Sequence, residues 1–161
     1  MRLACVLLCL LLAACGFQLR GTADVPFDSI YVPQSAGGIG LELKRSIQAG
    51  TRAKVVDDAK AASAILEFSE ESRLKEILSL TGQGRVREYL LRYRVGFRVH
   101  DGKGRDFLPH DTVTLLRDIS FNDADVLAKE SEEQLLYRDM QTDMVQQILR
   151  RLAAVRPAAA N

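Results

Sequence analysis

The strongest constraint on this fold lies between residues 89 and 100. Tyr89, Leu91, Tyr93, Val95, Phe97 and Val99 alternate there with Leu90, Arg92, Arg94, Gly96, Arg98 and His100. Successive side chains of an extended strand point to opposite faces, so this period of two specifies a strand buried on one side and open on the other. A helix would scatter the same apolar groups around its axis. The chain must therefore build a sheet, and other segments must cover one face of it.

Two segments have the pattern to do so. Gly37-Gly38-Ile39-Gly40 opens a run in which Ile39, Leu43 and Ile47 stand four apart, and Gly50 ends it. That spacing predicts an amphipathic helix. A second helix is predicted after Asn122, Asp123 and Asp125, whose side-chain oxygens suit N-caps. Leu136, Met140, Met144, Ile148 and Leu152 form its apolar stripe with Val145 and Leu149, and Arg150 and Arg151 suit its C-terminal dipole. The other strands are predicted at Ser29-Ile30-Tyr31-Val32, at 64–72 with Leu66 and Phe68 inward, and within 107–121 with Val113, Leu115, Ile119 and Phe121 on one face. Pro109 restricts pairing near the start of the last strand. The stretch 73–80 has mixed polarity and leaves its conformation open, and Val55-Val56 fits either a short strand or an ordered loop. Thr81-Gly82-Gln83-Gly84 and Asp101-Gly102-Lys103-Gly104 are turns by composition. The expected fold class is α+β, a single mostly antiparallel four-stranded sheet with two helices packed on one face, in the order β-α-β-β-β-α.

The N-terminal segment has a different character. Arg2 precedes an apolar run over residues 3–12, and Leu12-Ala13-Ala14-Cys15 follows. This is the layout of a bacterial lipoprotein signal over residues 1–14, with cleavage before Cys15 and lipid attached to that thiol. An ordinary cleaved signal with an incidental cysteine is the plainer alternative. The apolar run is about half of the ~20 residues a membrane span needs. Residues 15–27 read as a lipidated tether, 28–155 as one folded domain and 156–161 as a short disordered tail. Cys5 and Cys9 leave with the signal and lipid takes Cys15, so neither a disulfide nor a thiolate metal site is expected. Arg2 leaves too, after which basic and acidic side chains balance, and no global field draws nucleic acid. A lipoprotein thiol carries more than one acyl chain, which holds a protein on its membrane where one chain alone does not. Gly16 stands where an Asp usually signals inner-membrane retention, so by analogy the location is the outer membrane, facing the periplasm.

Catalytic signatures are missing: there is no Gly-x-Ser-x-Gly elbow, no Walker loop and no dinucleotide fingerprint. His100-Asp101 and His110-Asp111 offer metal-ligand types near a hairpin, but their bland reading, polar residues at strand ends, is the better one. No enzyme activity, metal or cofactor is expected. Arg92, Arg94 and Arg98 line the open face of the best strand, with Lys75, Arg85 and Arg87 near the preceding turn. Guanidinium groups match phosphate and carboxylate in two-pronged geometry. The row is read as a partner surface or a grip on lipid phosphates, against the alternative of a solvated face balanced by acids elsewhere.

Cys15-Gly16-Phe17-Gln18-Leu19-Arg20-Gly21, the Gly82-Gln83 turn before Glu88-Tyr89, Phe121-Asn122 and Leu127-Ala128-Lys129-Glu130 resemble, in this order, the lipopolysaccharide-assembly lipoprotein family LptE. The resemblance implies a four-stranded sheet with two helices. It implies a lipoprotein that sits in the lumen of the outer-membrane barrel LptD, as plug and assembly aid, while lipopolysaccharide passes to the outer leaflet. Family members bind lipopolysaccharide through basic side chains. One such position matches Lys129; the other, just before the Gly-Gln turn, holds Leu80 and Thr81 here, and Arg85 or Arg87 would have to compensate. The competing expectations are a stand-alone lipoprotein binding module for lipid or cell-wall fragments, and a periplasmic hydrolase, for which no activated nucleophile is evident.

Overall fold

The alternating run is an interior strand of the sheet, paired on both sides. In a computed structural model, which describes residues 25–35 and 37–155, it forms the fourth of five strands. The signal, Cys15, the tether up to residue 24 and the tail at 156–161 lie outside the described residues. In chain order the elements are β1 (Ser29–Tyr31), α1 (Ile39–Gly50), β2 (Lys54–Val56), β3 (Ala64–Leu80), β4 (Val86–His100), β5 (Asp106–Ser120) and α2 (Val126–Ala154), with 3-10 turns at Ala59–Ala61 and Asp123–Asp125. The sheet order is β2-β1-β3-β4-β5.

The expected four-stranded sheet is thus corrected to five. The additional strand is Lys54–Val56, parallel to β1, with the Lys54 N–H donating to the Asp28 carbonyl at 2.9 Å. Three residues carry too little pattern to announce a strand; only the pairing defines it. Parallel neighbours need a crossover connection, and α1 provides it between β1 and β2. β1 also runs parallel to β3, while β3, β4 and β5 are antiparallel, so the sheet is mixed and its long strands form a meander.

β3 continues without a break through the stretch of mixed polarity. A register shift between Phe68 and Glu70 leaves Ser69 as an extra residue. Such a bulge moves the side chains after it to the opposite face, here as far as Ile77, beyond which the register shifts again. Ala64 and Leu66 are buried towards the helices before it; after it, Glu71, Arg73 and Lys75 take that side, in register with Val95, Tyr93 and Leu91. They are polar because α2 and the loop before α1 meet them with polar groups: Arg73 reaches Gln141, and Glu71 takes the Gly37 N–H.

Below that level the core is apolar. Leu91, Tyr93, Val95, Phe97 and Val99 are buried with Ile30 and Leu66, under Ile39, Leu43 and Ile47 of α1 and Met140, Met144, Ile148 and Leu152 of α2. Burying each such side chain contributes about 1.5–3 kcal/mol relative to exposure. Phe27, expected at the end of the tether, is buried and packs on Phe107 with ring centroids 6.0 Å apart, so the folded body starts before residue 28.

Candidate functional site

At the end of the sheet where β3 turns into β4, the chain makes its last reversal. The Phe121 N–H donates to the Arg87 carbonyl at 2.8 Å, and the Asn122 side chain accepts from the Ala124 N–H at 3.2 Å, turning the backbone into α2. The first turns of α2 stand over the ends of β4 and β5 and leave a cleft of about 210 Å³. Tyr89 and Phe121 meet in it edge to face, with centroids 5.3 Å apart. Lys75, from β3, holds its Nζ 4.3 Å from the Tyr89 ring centre and 2.6 Å from Glu133 Oε2. Lys129, from α2, donates to Ser120 Oγ at 3.0 Å and to Glu132 Oε2 at 2.9 Å. Two partly buried ammonium groups therefore line the cleft from different elements, each already engaged by a carboxylate. An arriving anion competes with those carboxylates.

Of the expected lipopolysaccharide-binding residues, Lys129 lines this cleft and Arg87 borders it through the Phe121 hydrogen bond. The Arg87 guanidinium donates to Ser79 Oγ and Glu88 Oε2, both at 3.3 Å. The Ser79 hydroxyl, followed by Arg87, holds the Glu88 carboxyl below the usual carboxylate range. Arg85 closes the hairpin, its carbonyl accepting from the Thr81 N–H at 2.7 Å. Leu80, beside this turn, is 54% exposed. Lys75 is the residue that sequence reasoning placed near the turn but not in the site. Its charge was visible; its facing was hidden by the bulge at Ser69.

The arginine row lies on the open face of β4 as expected, but the face is not of one sign. Arg98 pairs with Glu67 at 2.6 Å, Arg94 with Glu70 at 3.2 Å and Arg92 with Glu76 at 2.8 Å. Arg98 and Glu67 are direct cross-strand neighbours, the geometry in which opposite charges support a sheet. The guanidinium of Arg98 keeps the Glu67 carboxyl below its ordinary range. The row is a ladder of paired charges, because β3 supplies a glutamate beside each arginine. Leu74 and Leu116 flank Arg92 in register, 49% and 46% exposed, so the ladder carries an apolar patch at its middle.

The two histidines lie apart. His100 Nδ1 accepts from the Gly102 N–H at 3.0 Å, while His110 Nε2 is 2.8 Å from Ser69 Oγ above Gly96. A Cβ on Gly96 would come 2.5 Å from that hydroxyl, so glycine there makes room for the bridge. Ser69 and His110 are half of a nucleophilic arrangement. Asp111, next in sequence, turns to the helix side and pairs with Arg151. Among the described residues no group of three or more His, Cys, Asp and Glu side chains is placed to hold a metal ion, and no helix is long and apolar enough to cross a membrane.

Comparison with known proteins bears on this geometry. The family described as "LptE: Lipopolysaccharide-assembly" matches residues 25–152. An LPS-assembly lipoprotein LptE of Yersinia pestis is 32% identical over 153 residues, covering 92% of this chain and 73% of the relative. Its counterpart in Photorhabdus laumondii is 28% identical over 157 residues, covering 92% and 82%. Among solved structures, lipoprotein B of Nitrosomonas europaea superposes with a TM-score of 0.75 at 45% identity, covering 86% of this chain and 91% of that one. A minor lipoprotein of Acinetobacter baumannii follows at 0.67 and 25%, covering 85% and 99%.

Proposed function

We propose, since this chain belongs to the lipopolysaccharide-assembly family LptE, that it is an outer-membrane lipoprotein, held through lipid on Cys15, which plugs and helps to assemble the LptD barrel and takes part in placing lipopolysaccharide in the outer leaflet. The observation that carries this reading is the family match, which spans nearly the whole folded body, from residue 25 to residue 152. The role in this reading is binding and support.

The physical chemistry of the surface supports it. The lumen of an outer-membrane barrel is polar, unlike its lipid face. A sheet face of paired charges can exchange an Arg–Glu partner for a luminal acid or base at little cost, because exposed pairs contribute only about 0–1 kcal/mol each. Arg92, Arg94 and Arg98 are the partner surface in this reading. Lys129, with Arg87 and Arg85 at the same end, takes the lipopolysaccharide. Contacts of this kind weaken with salt.

Co-purification tests the reading. Gentle detergent extraction should recover the protein with a large barrel protein, and crosslinkers placed on the open face of β4 in intact cells should join the two. Recovery as a lone monomer without crosslinks would favour the stand-alone binding module instead.

A further inference from the structure

We infer that Lys75 is the second phosphate-binding cation of the cleft, and that Glu133 and Glu132 are placeholder carboxylates that a phosphate group displaces from Lys75 and Lys129. The inference rests on the proposed lipopolysaccharide role of this end of the molecule and names the chemistry of its site.

Four observations carry it. The Ser69 bulge turns Lys75 from the open face to the helix side, where it and Lys129 line one cavity from different elements. Each ammonium already binds an oxyanion there, Lys75 at 2.6 Å from Glu133 and Lys129 at 2.9 Å from Glu132, so the distances for oxyanion capture exist in the folded chain. An ammonium has three donors, and Lys75 spends one on Glu133 while the Tyr89 ring covers another side at 4.3 Å. A donor remains for a ligand oxygen. Finally, Ile119, Phe121 and Val126 place hydrocarbon beside the two charges, which suits a phosphate borne by an amphiphile.

The carboxylates give the site its selectivity. With Glu130, Glu132 and Glu133 around two lysines, a singly charged anion gains little over the glutamates already in place. A phosphate that bridges both ammonium groups with charge-assisted hydrogen bonds gains more.

The test uses the full acylated protein in detergent and a fluorescent lipopolysaccharide probe. Lys75→Ala should weaken capture about tenfold, the size of one charge-assisted hydrogen bond. Glu133→Gln should tighten capture, because it frees Lys75 without removing it; a merely structural pair would give weaker binding from both variants. A probe stripped of its phosphates should bind wild type and Lys75→Ala alike. Competition by inorganic phosphate would assign the cleft to the bare phosphate group; probe binding that depends on Lys75 yet resists inorganic phosphate would assign it to phosphate presented on lipid. Either outcome supports the inference. Unchanged capture by Lys75→Ala alongside loss by Lys129→Ala overturns it while leaving the proposed function intact. Unchanged capture by both overturns the inference and removes the cleft from the proposed function.

Discussion

Glu71 explains how a carboxylate is accommodated on the covered side of the sheet. Its two oxygens accept from the Tyr93 hydroxyl at 2.7 Å and from the Gly37 N–H at 3.0 Å. Burial, and after it the hydrogen bond to Glu71, pushes the Tyr93 phenol well above its ordinary value, so the hydroxyl stays a donor. Arg73 lies 4.8 Å over the same ring and donates to Gln141, which donates in turn to Glu42 at 2.8 Å. One polar chain thus ties β3, the loop before α1, α1 and α2. A Cβ on Gly37 would fall on the Glu71 carboxylate. Gly37→Ala should therefore lower stability by about 1–3 kcal/mol, the cost of leaving such groups unpaired, and a thermal melt reads it. Asp101 makes a separate, pH-dependent contribution. The backbone N–H groups of Lys103 and Arg105 hold its carboxyl below the usual range. A depressed carboxyl stabilises the fold fully above its unfolded pKa and loses that contribution as pH falls through the folded value. Melts across acid pH should show a flatter decline in Asp101→Asn, beginning below about pH 4. Neither network was legible in the sequence, because both depend on which groups meet rather than on what they are. Lys129 was legible, through the short motif around it; Lys75 has no such motif.

At the level of elements, legibility followed the length of unbroken periodicity. β4 keeps one phase from Tyr89 to Val99, and each inward residue from Leu91 to Val99 is buried. β3 is longer, 17 residues against 15, but changes phase at Ser69, so its second half reads as noise when a single period is imposed on it. β2 is too short to hold a period at all. α2 divides in the same manner. Its C-terminal half carries the Leu/Met stripe over the core, while its first turns overhang the end of the sheet, where Leu127 is 80% exposed. Substitutions should separate the halves. Met144→Ala or Ile148→Ala removes a fully buried side chain and should cost about 2–5 kcal/mol. Leu127→Ala should stay within about 0.5 kcal/mol, as a surface change does. Chemical denaturation of the variants gives both numbers, and a large loss at Leu127 would mean that α2 packs along its entire length.

The whole molecule has two distinct ends and two distinct faces. The face with the charge ladder predicts an association phenotype separable from stability. Charge reversal at Arg92 and Arg94 would set like charges against Glu76 and Glu70, so it would disturb the sheet as well as any partner. Arg92→Gln with Arg94→Gln removes the guanidinium groups without that repulsion. Recovery of the barrel should fall while the melting temperature moves little; normal recovery would make the ladder plain wet surface. The ends differ in another respect. Described backbone starts at Val25, next to Phe27 and Phe107, at the end that carries the 101–105 hairpin. The cleft lies at the end that carries the 81–85 hairpin, and the 17 residues of β3 span roughly 50 Å between the two at about 3.3 Å per residue. The stretch from Cys15 to Val25, even fully extended, reaches at most about 35 Å. In the proposed function, then, lipid on Cys15 and lipopolysaccharide at Lys129 are independent attachments. Exported from an ordinary cleavable signal with Cys15→Ala, the protein should leave the membrane fraction yet capture lipopolysaccharide within about twofold of wild type, a difference below ~0.5 kcal/mol. A large loss of capture on removing the lipid would show that the anchor end contributes to the ligand site, and the separation of the two ends would have to be abandoned.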